Sequence, residues 1–140
     1  MALKISKADT WVAGIKDEPG GLAGKLEVLK AGGANLEFVV ARRSPDKPGT
    51  GVVFVTPIRG AKQVRAAKKA GFARSSSLHT VRIQGPDKRG MGACLTGALA
   101  EAGINLRGLS AGVVGKQFIM HLAFDTAGAA AKAVRVLKAL

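Results

Sequence analysis

Tyrosine is absent from this chain of 140 residues, cysteine and tryptophan occur once each, and nine carboxylates stand against 22 lysines and arginines. Each scarcity excludes something. One cysteine, Cys94, leaves no internal disulfide framework, and His79 and His121 lie far from it and from each other in sequence, so no set of residues has the spacing of metal ligands. No Ser/His/Asp or Cys/His arrangement is visible either, and the few carboxylates fall in turns, on helix surfaces or at strand ends. The chain therefore reads as a non-enzyme that needs no cofactor or metal. The longest stretch free of charged residues has 11 members, for example Gly90 to Ala100, too short to cross a bilayer. The N-terminus "MALKISKADT" has no apolar run of the signal-peptide kind. A soluble, cytoplasmic protein with no membrane partner is expected.

What the chain does have is a packable core and an excess of positive charge. Hydrophobic residues make up 47% of it, enough for one domain or two small ones, and the net charge is +13; nucleic acid, an anionic membrane and acidic partners are the surfaces such a charge attracts. The charge is not concentrated: residues 1–70 carry 13 basic and 6 acidic side chains, residues 71–140 carry 9 and 3. Phosphate-loop motifs are incomplete. In "PGGLAGKL" Pro19 takes the place of the first glycine and Leu26 that of the Ser/Thr, and "GMGACL" stops short of G-x-G-x-x-G.

An internal repeat organises the rest. Setting residue i beside i+70 places Thr10, Asp17, Gly20, Ala23, Leu29, Gly33, Asn35 and Leu36 on Thr80, Asp87, Gly90, Ala93, Leu99, Gly103, Asn105 and Leu106. The register continues without a gap through Phe54/Phe124, Thr56/Thr126, Lys62/Lys132 and Val64/Val134. Two domains are expected, 1–76 and 77–140.

Each repeat spells the same elements. "TWVAGIK" alternates Trp11, Ala13 and Ile15 on one face as a half-buried strand, and "DEPGG" turns the chain. Asp17 is placed to cap a helix with Pro19 in its first turn. Leu22, Leu26 and Leu29 follow at helical spacing until the glycines of "AGGAN". "NLEFVVARR" and "VVFVTPI" are strands around the loop "SPDKPGTG". A helix from about Gly60 to Ala70 turns Ala61, Val64 and Ala67 inward and Lys62, Arg65, Lys68 and Lys69 outward, and "FARSSS" supplies a fourth strand. The second repeat has strands near Thr80 to Gly85, Asn105 to Val113 and Gln117 to Phe124, and helices near Arg89 to Ala102 and Gly128 to Ala139. The fold class is α+β: two tandem ferredoxin-like βαββαβ domains, each an antiparallel sheet with its helices on one face. Nothing after the last helix offers the second repeat a fourth strand. Leu3 to Ser6, "LKIS", corresponds by the offset to Ala73 to Ser76, so residues 1–8, of this chain or of a dimer mate, are expected to fill that slot.

The strand leading into "DEPGGL", the helix ending at "AGGANL", and their second copies "PDKRG" and "AGINL" resemble the ACT domain family, in which D-x-P-G-x-L links the first strand to the first helix and G-x-N-[IL] opens the second strand. The first repeat matches fully. The second carries Arg89 for the proline and Gly92 for the leucine.

The resemblance implies a regulatory module that binds an amino acid where two domains meet. It points to Asp17, Pro19, Gly20, Gly21, Leu22, Asn35 and Leu36 in one repeat and Asp87, Gly90, Met91, Gly92, Asn105 and Leu106 in the other. The chemistry fits those residue types. A helix N-terminus offers backbone N–H groups to the ligand carboxylate, an aspartate accepts from its ammonium, and an asparagine does both. The resemblance also implies a homodimer and, as an alternative to a free-standing sensor, docking on an amino-acid biosynthetic enzyme. RNA-recognition domains share the βαββαβ order, but they need paired exposed aromatics on the sheet, and with no tyrosine such platforms are scarce, so nucleic acid is the lesser alternative.

Overall fold

The computed structural model describes residues 2–140. Its strands are β1 (Lys4–Ala8), β2 (Trp11–Lys16), β3 (Phe38–Arg43), β4 (Thr50–Thr56), β5 (Ala73–Arg74), β6 (His79–Pro86), β7 (Gly108–Val114) and β8 (Gln117–Phe124). Its helices are α1 (Gly21–Ala31), α2 (Gly60–Lys69), α3 (Met91–Glu101) and α4 (Ala127–Lys138). The elements form two antiparallel four-stranded sheets, in the orders β3-β4-β2-β5 and β7-β8-β6-β1.

Two compact units result: Asp9–Ser75, and Ser76–Leu140 together with the segment that ends at Ala8. The segment ending at Ala8 thus groups with the second unit and not with residues 9–75. β1 runs antiparallel to β6 from Lys4↔Gln84 to Ala8↔Thr80 and holds the edge position in its sheet that β5 holds in the other. Its Ile5 and the preceding Leu3 pack against the second core, and Gly85 leaves the room: a Cβ there would come 2.7 Å from Leu3 Cδ2 and 3.1 Å from Phe118. The slot follows the 70-residue offset only approximately. Trp11 pairs with Arg74 in the first unit, whereas Val81 pairs with Lys7 rather than Lys4.

Hydrophobic periodicity explains both cores. Trp11 and Ala13 of β2, Val53 and Val55 of β4, Leu29 of α1 and Ala67 of α2 are buried together. In the second unit Val81 and Ile83 of β6, Met120, Leu122 and Phe124 of β8, Leu95 and Leu99 of α3, and Ala133 and Leu137 of α4 do the same. Both helices of a unit thus cover one face of its sheet. In α2 the inward residues are Val64 and Ala67, whereas Ala61 is exposed, since it lies in the first turn before the helix settles on the sheet.

The offset of 70 does not survive past the second strand of each repeat. Trp11 faces Val55 across β2 and β4, and Val81 faces Leu122 across β6 and β8, so Val55 corresponds to Leu122 and not to residue 125. The pairings Phe54/Phe124 and Thr56/Thr126 are coincidences of composition. The gap lies in the hairpins: residues 44–49 join β3 to β4, whereas Gly115 and Lys116 alone join β7 to β8.

Deleting residues 2–8 is expected to strip amide-exchange protection from β6 and to lower the unfolding free energy by roughly 2 kcal/mol or more, from lost side-chain burial and ladder hydrogen bonds. Hydrogen exchange and urea unfolding check it. Unchanged β6 protection would show that β1 is not what closes the sheet.

Candidate functional site

The sharpest local constraint in the first unit is where α1 meets the end of β2. The residue before the helix is Gly20, at φ 87°, a left-handed conformation that glycine adopts without steric cost. Gly21 comes next, so close to β2 that a Cβ would lie 2.2 Å from the Lys16 carbonyl oxygen. The glycines are thus demanded by backbone geometry. They also displace the expected cap. Asp17 does not cap α1 and Pro19 is not in its first turn, because the turn delays the helix to Gly21. The Asp17 backbone N–H donates to the Gly49 carbonyl at 3.1 Å, and its carboxylate accepts from Arg43 Nε at 2.8 Å. No side chain caps α1, and no acidic residue lies in its first turn. The first turn of α1 thus has neither a side-chain cap nor an acid of its own to offset the positive end of the helix dipole.

In the second unit Gly90 (φ 80°) likewise precedes a helix, α3, with neither side-chain cap nor first-turn acid. The Asp87 backbone N–H donates to Lys116 O at 2.9 Å, echoing Asp17 and Gly49. The close approach is not repeated. Met91 stands where Gly21 does and packs against the core, and Gly92 has no heavy atom within 4 Å of where its Cβ would be. Val113 occupies the position of Arg43, so the ion pair to the loop aspartate has no counterpart there.

The asparagines stand apart from these loops. Asn35 and Asn105 are exposed, just after α1 and α3, and neither is left-handed; Gly33 (φ 88°) and Gly103 (φ 74°) take that role. Leu36 and Leu106, like Leu22, are half-buried against the cores. Within a unit the aspartate and asparagine flank opposite ends of an 11-residue helix, about 16 Å long. The first unit therefore does not bring Asp17 and Asn35 together.

A cleft of about 590 Å³ opens beside the start of α1, lined by Gly14, Ile15, Lys16, Glu18, Gly21, Lys25, Ser44, Lys47, Thr50 and Gly51. A neighbouring one of about 220 Å³ shares Lys16 and Glu18 and adds Asp17, Leu22, Arg42 and Arg43. Lys25 is anchored at this end of the molecule by its bond to the Ala70 carbonyl at 2.5 Å, which also caps the C-terminus of α2. The sequence reading found the glycine loop but missed Lys16, Lys25 and Lys47. The long hairpin, present in one repeat only, was the signal available. Among the described residues no group of His, Cys, Asp and Glu could hold a metal ion, and no helix is long and apolar enough to cross a membrane. Phe118 and Phe124 are buried and Phe54 is half-buried.

Solved structures with this architecture cover nearly the whole chain. Protein BT0572 from Bacteroides thetaiotaomicron superposes with a TM-score of 0.78 at 19% identity, over 96% of this chain and 88% of that one. The aspartokinase alpha and beta subunits give 0.63 at 18%, over 98% and 95%. The ligand-free regulatory subunit of aspartate kinase from Thermus thermophilus gives 0.61 at 17%, over 95% and 94%. The fold is ACT-like. No family model matches the chain, and no curated protein does.

The two loops predict opposite responses to one added methyl group. Gly21→Ala should destabilise the protein by about 2 kcal/mol or more, because the Cβ meets backbone that cannot rotate away. Gly92→Ala should be neutral or stabilising by up to about 1 kcal/mol, since it removes a helical glycine without a clash. Urea unfolding of both variants checks the contrast.

Proposed function

We propose that this chain is a non-enzymatic regulatory protein, built from two tandem ACT-type domains, that binds an amino acid and passes occupancy on through association as a homodimer. The observation that carries the reading is the start of α1: an uncapped helix N-terminus, brought against β2 by Gly21 and opening onto a basic cleft. The helix end and Lys16 suit the carboxylate of a ligand. Glu18 and Asp17 suit its ammonium, with Arg43 exchanging partners as the ligand enters. Asn35 lies at the far end of the same helix and is not part of this cleft. The loop of Asp87 and Gly90 before α3 is a second, weaker site. Solved structures of aspartate kinase regulatory subunits share the fold, and this favours a second reading in which the chain docks on an amino-acid biosynthetic enzyme.

Screening the twenty amino acids by thermal shift tests the proposal, since a ligand bound only by the native state raises the midpoint. A ligand found this way should lose at least tenfold in affinity, by calorimetry, when Lys16→Ala and Asp17→Ala are combined. A single tight site untouched by that pair, or no shift with any amino acid, would sink the reading. Co-purification of an enzyme from cell extract separates the docking form from the free-standing one.

A further inference from the structure

Counted along the chain the positive charge is even, but the fold gathers it. In α2, of sequence GAKQVRAAKK, the cations Lys62, Arg65, Lys68 and Lys69 are all exposed, and the helix has no acidic residue. α1 beside it adds Lys25 and Lys30 against Glu27. The two helices are held close: a Cβ on Gly32 would come 2.3 Å from Ala66 Cβ, and Gln63 Nε2 donates to the Gly33 carbonyl at 3.0 Å. The helix layer of the first unit therefore carries six cations and one carboxylate. That of the second unit carries Lys132, Arg135 and Lys138 with Glu101, and Lys132 is tied to the Ala102 carbonyl at 2.7 Å. The ion pairs of the first unit join Asp9 to Arg74, Asp17 to Arg43 and Glu37 to Arg59. Among the described residues none involves the four cations of α2.

We propose that the outer face of α2 binds the phosphate backbone of double-stranded DNA without reading its sequence. This function does not depend on the amino-acid site. Charge complementarity selects a polyanion, and what the face lacks selects among polyanions. A protein partner is met by aromatic or large apolar anchors at the centre of the contact, yet the exposed large apolar side chains, Val39, Leu109, Val113, Val114 and Leu140, all lie off α1 and α2. The same lack leaves nothing to sink into a bilayer. Single strands are held by stacking on aromatic side chains, and neither helix has one. Duplex RNA is told apart through its 2′-hydroxyls, whereas the one amide side chain of α2, Gln63, is already engaged at both ends, its Oε1 accepting from the Arg59 N–H at 2.7 Å. Missing aromatic platforms bar the reading of bases, not contact with the backbone. Lys62, Arg65 and Lys69 follow one another at i, i+3 and i+7 along one stripe. That stripe spans about 10 Å, roughly three phosphate steps of one DNA strand.

Fluorescence anisotropy of a labelled random-sequence DNA duplex, titrated at about 50 to 200 mM salt, tests this, with circular dichroism confirming that each variant is folded. With four phosphate contacts the logarithm of the affinity should fall against that of the salt concentration with a slope of roughly −3.6. Lys62→Gln, Arg65→Gln and Lys69→Gln together should take nearly three from that slope and weaken binding at least tenfold at the low-salt end. The charge-matched set Lys88→Gln, Arg89→Gln and Lys116→Gln, at exposed positions of the second unit, should stay within about threefold of the parent chain, because those side chains lie off the contact. No binding at the low-salt end, or a loss in the charge-matched variant as large as in the α2 variant, would overturn the site. Tighter binding to duplex RNA, to phosphatidylserine vesicles or to polyglutamate than to the DNA duplex would overturn the choice of occupant.

Discussion

The β1–β6 ladder is the contact on which the second half of the molecule depends. Without it, β6 would be a sheet edge, and Leu3 and Ile5 would not complete the core beneath α4. A four-stranded sheet needs its edge slot occupied because the backbone groups beside a packed core find few other partners. In the first unit β5 supplies the slot from within the same repeat. The second unit takes it from the other end of the chain, so the two units do not coincide with the two halves of the sequence.

Much of this was legible in the residues. Alternation in β2 and β8 and the leucine spacing of α1 identified strands and helix, since burial of one face imposes those periods directly. The vacant fourth strand could be inferred because a repeated fold has a fixed number of elements. The details that failed share a cause, namely that they depend on where backbone meets backbone. The constant offset broke at the hairpins because exposed loops tolerate changes in length, and chance identities such as Phe54 with Phe124 hid the break. Asp17 looked like a cap because aspartate favours that position. The left-handed Gly20 moved the helix start beyond its reach.

The candidate site was legible in part for the same reason. The glycine loop is a contiguous motif, and close packing at Gly21 accounts for it. The lysines of the cleft are scattered among a strand, a helix and a hairpin, and no local pattern ties Lys16, Lys25 and Lys47 together. Only the fold places them around one opening. The repeat obscured this further, because its second copy lacks the long hairpin, replaces Gly21 with Met91 and sets Val113 in place of Arg43. The two units share an architecture while presenting different chemistry at equivalent places.

The interleaving of β1 with β6 has a consequence for how the protein is made. During synthesis the segment 9–75 is complete, with all four of its strands, before any of β6 has left the ribosome. β1, already outside, must wait for partners more than seventy residues downstream, from Ala8 with Thr80 to Lys4 with Gln84. Loop-closure entropy adds little to the equilibrium cost of so long a separation, but distant pairings form slowly. For that interval the nascent chain trails an unpaired strand carrying Lys4 and Lys7, and those two charges keep it dissolved and discourage union with the wrong edge until the second sheet is there to receive it.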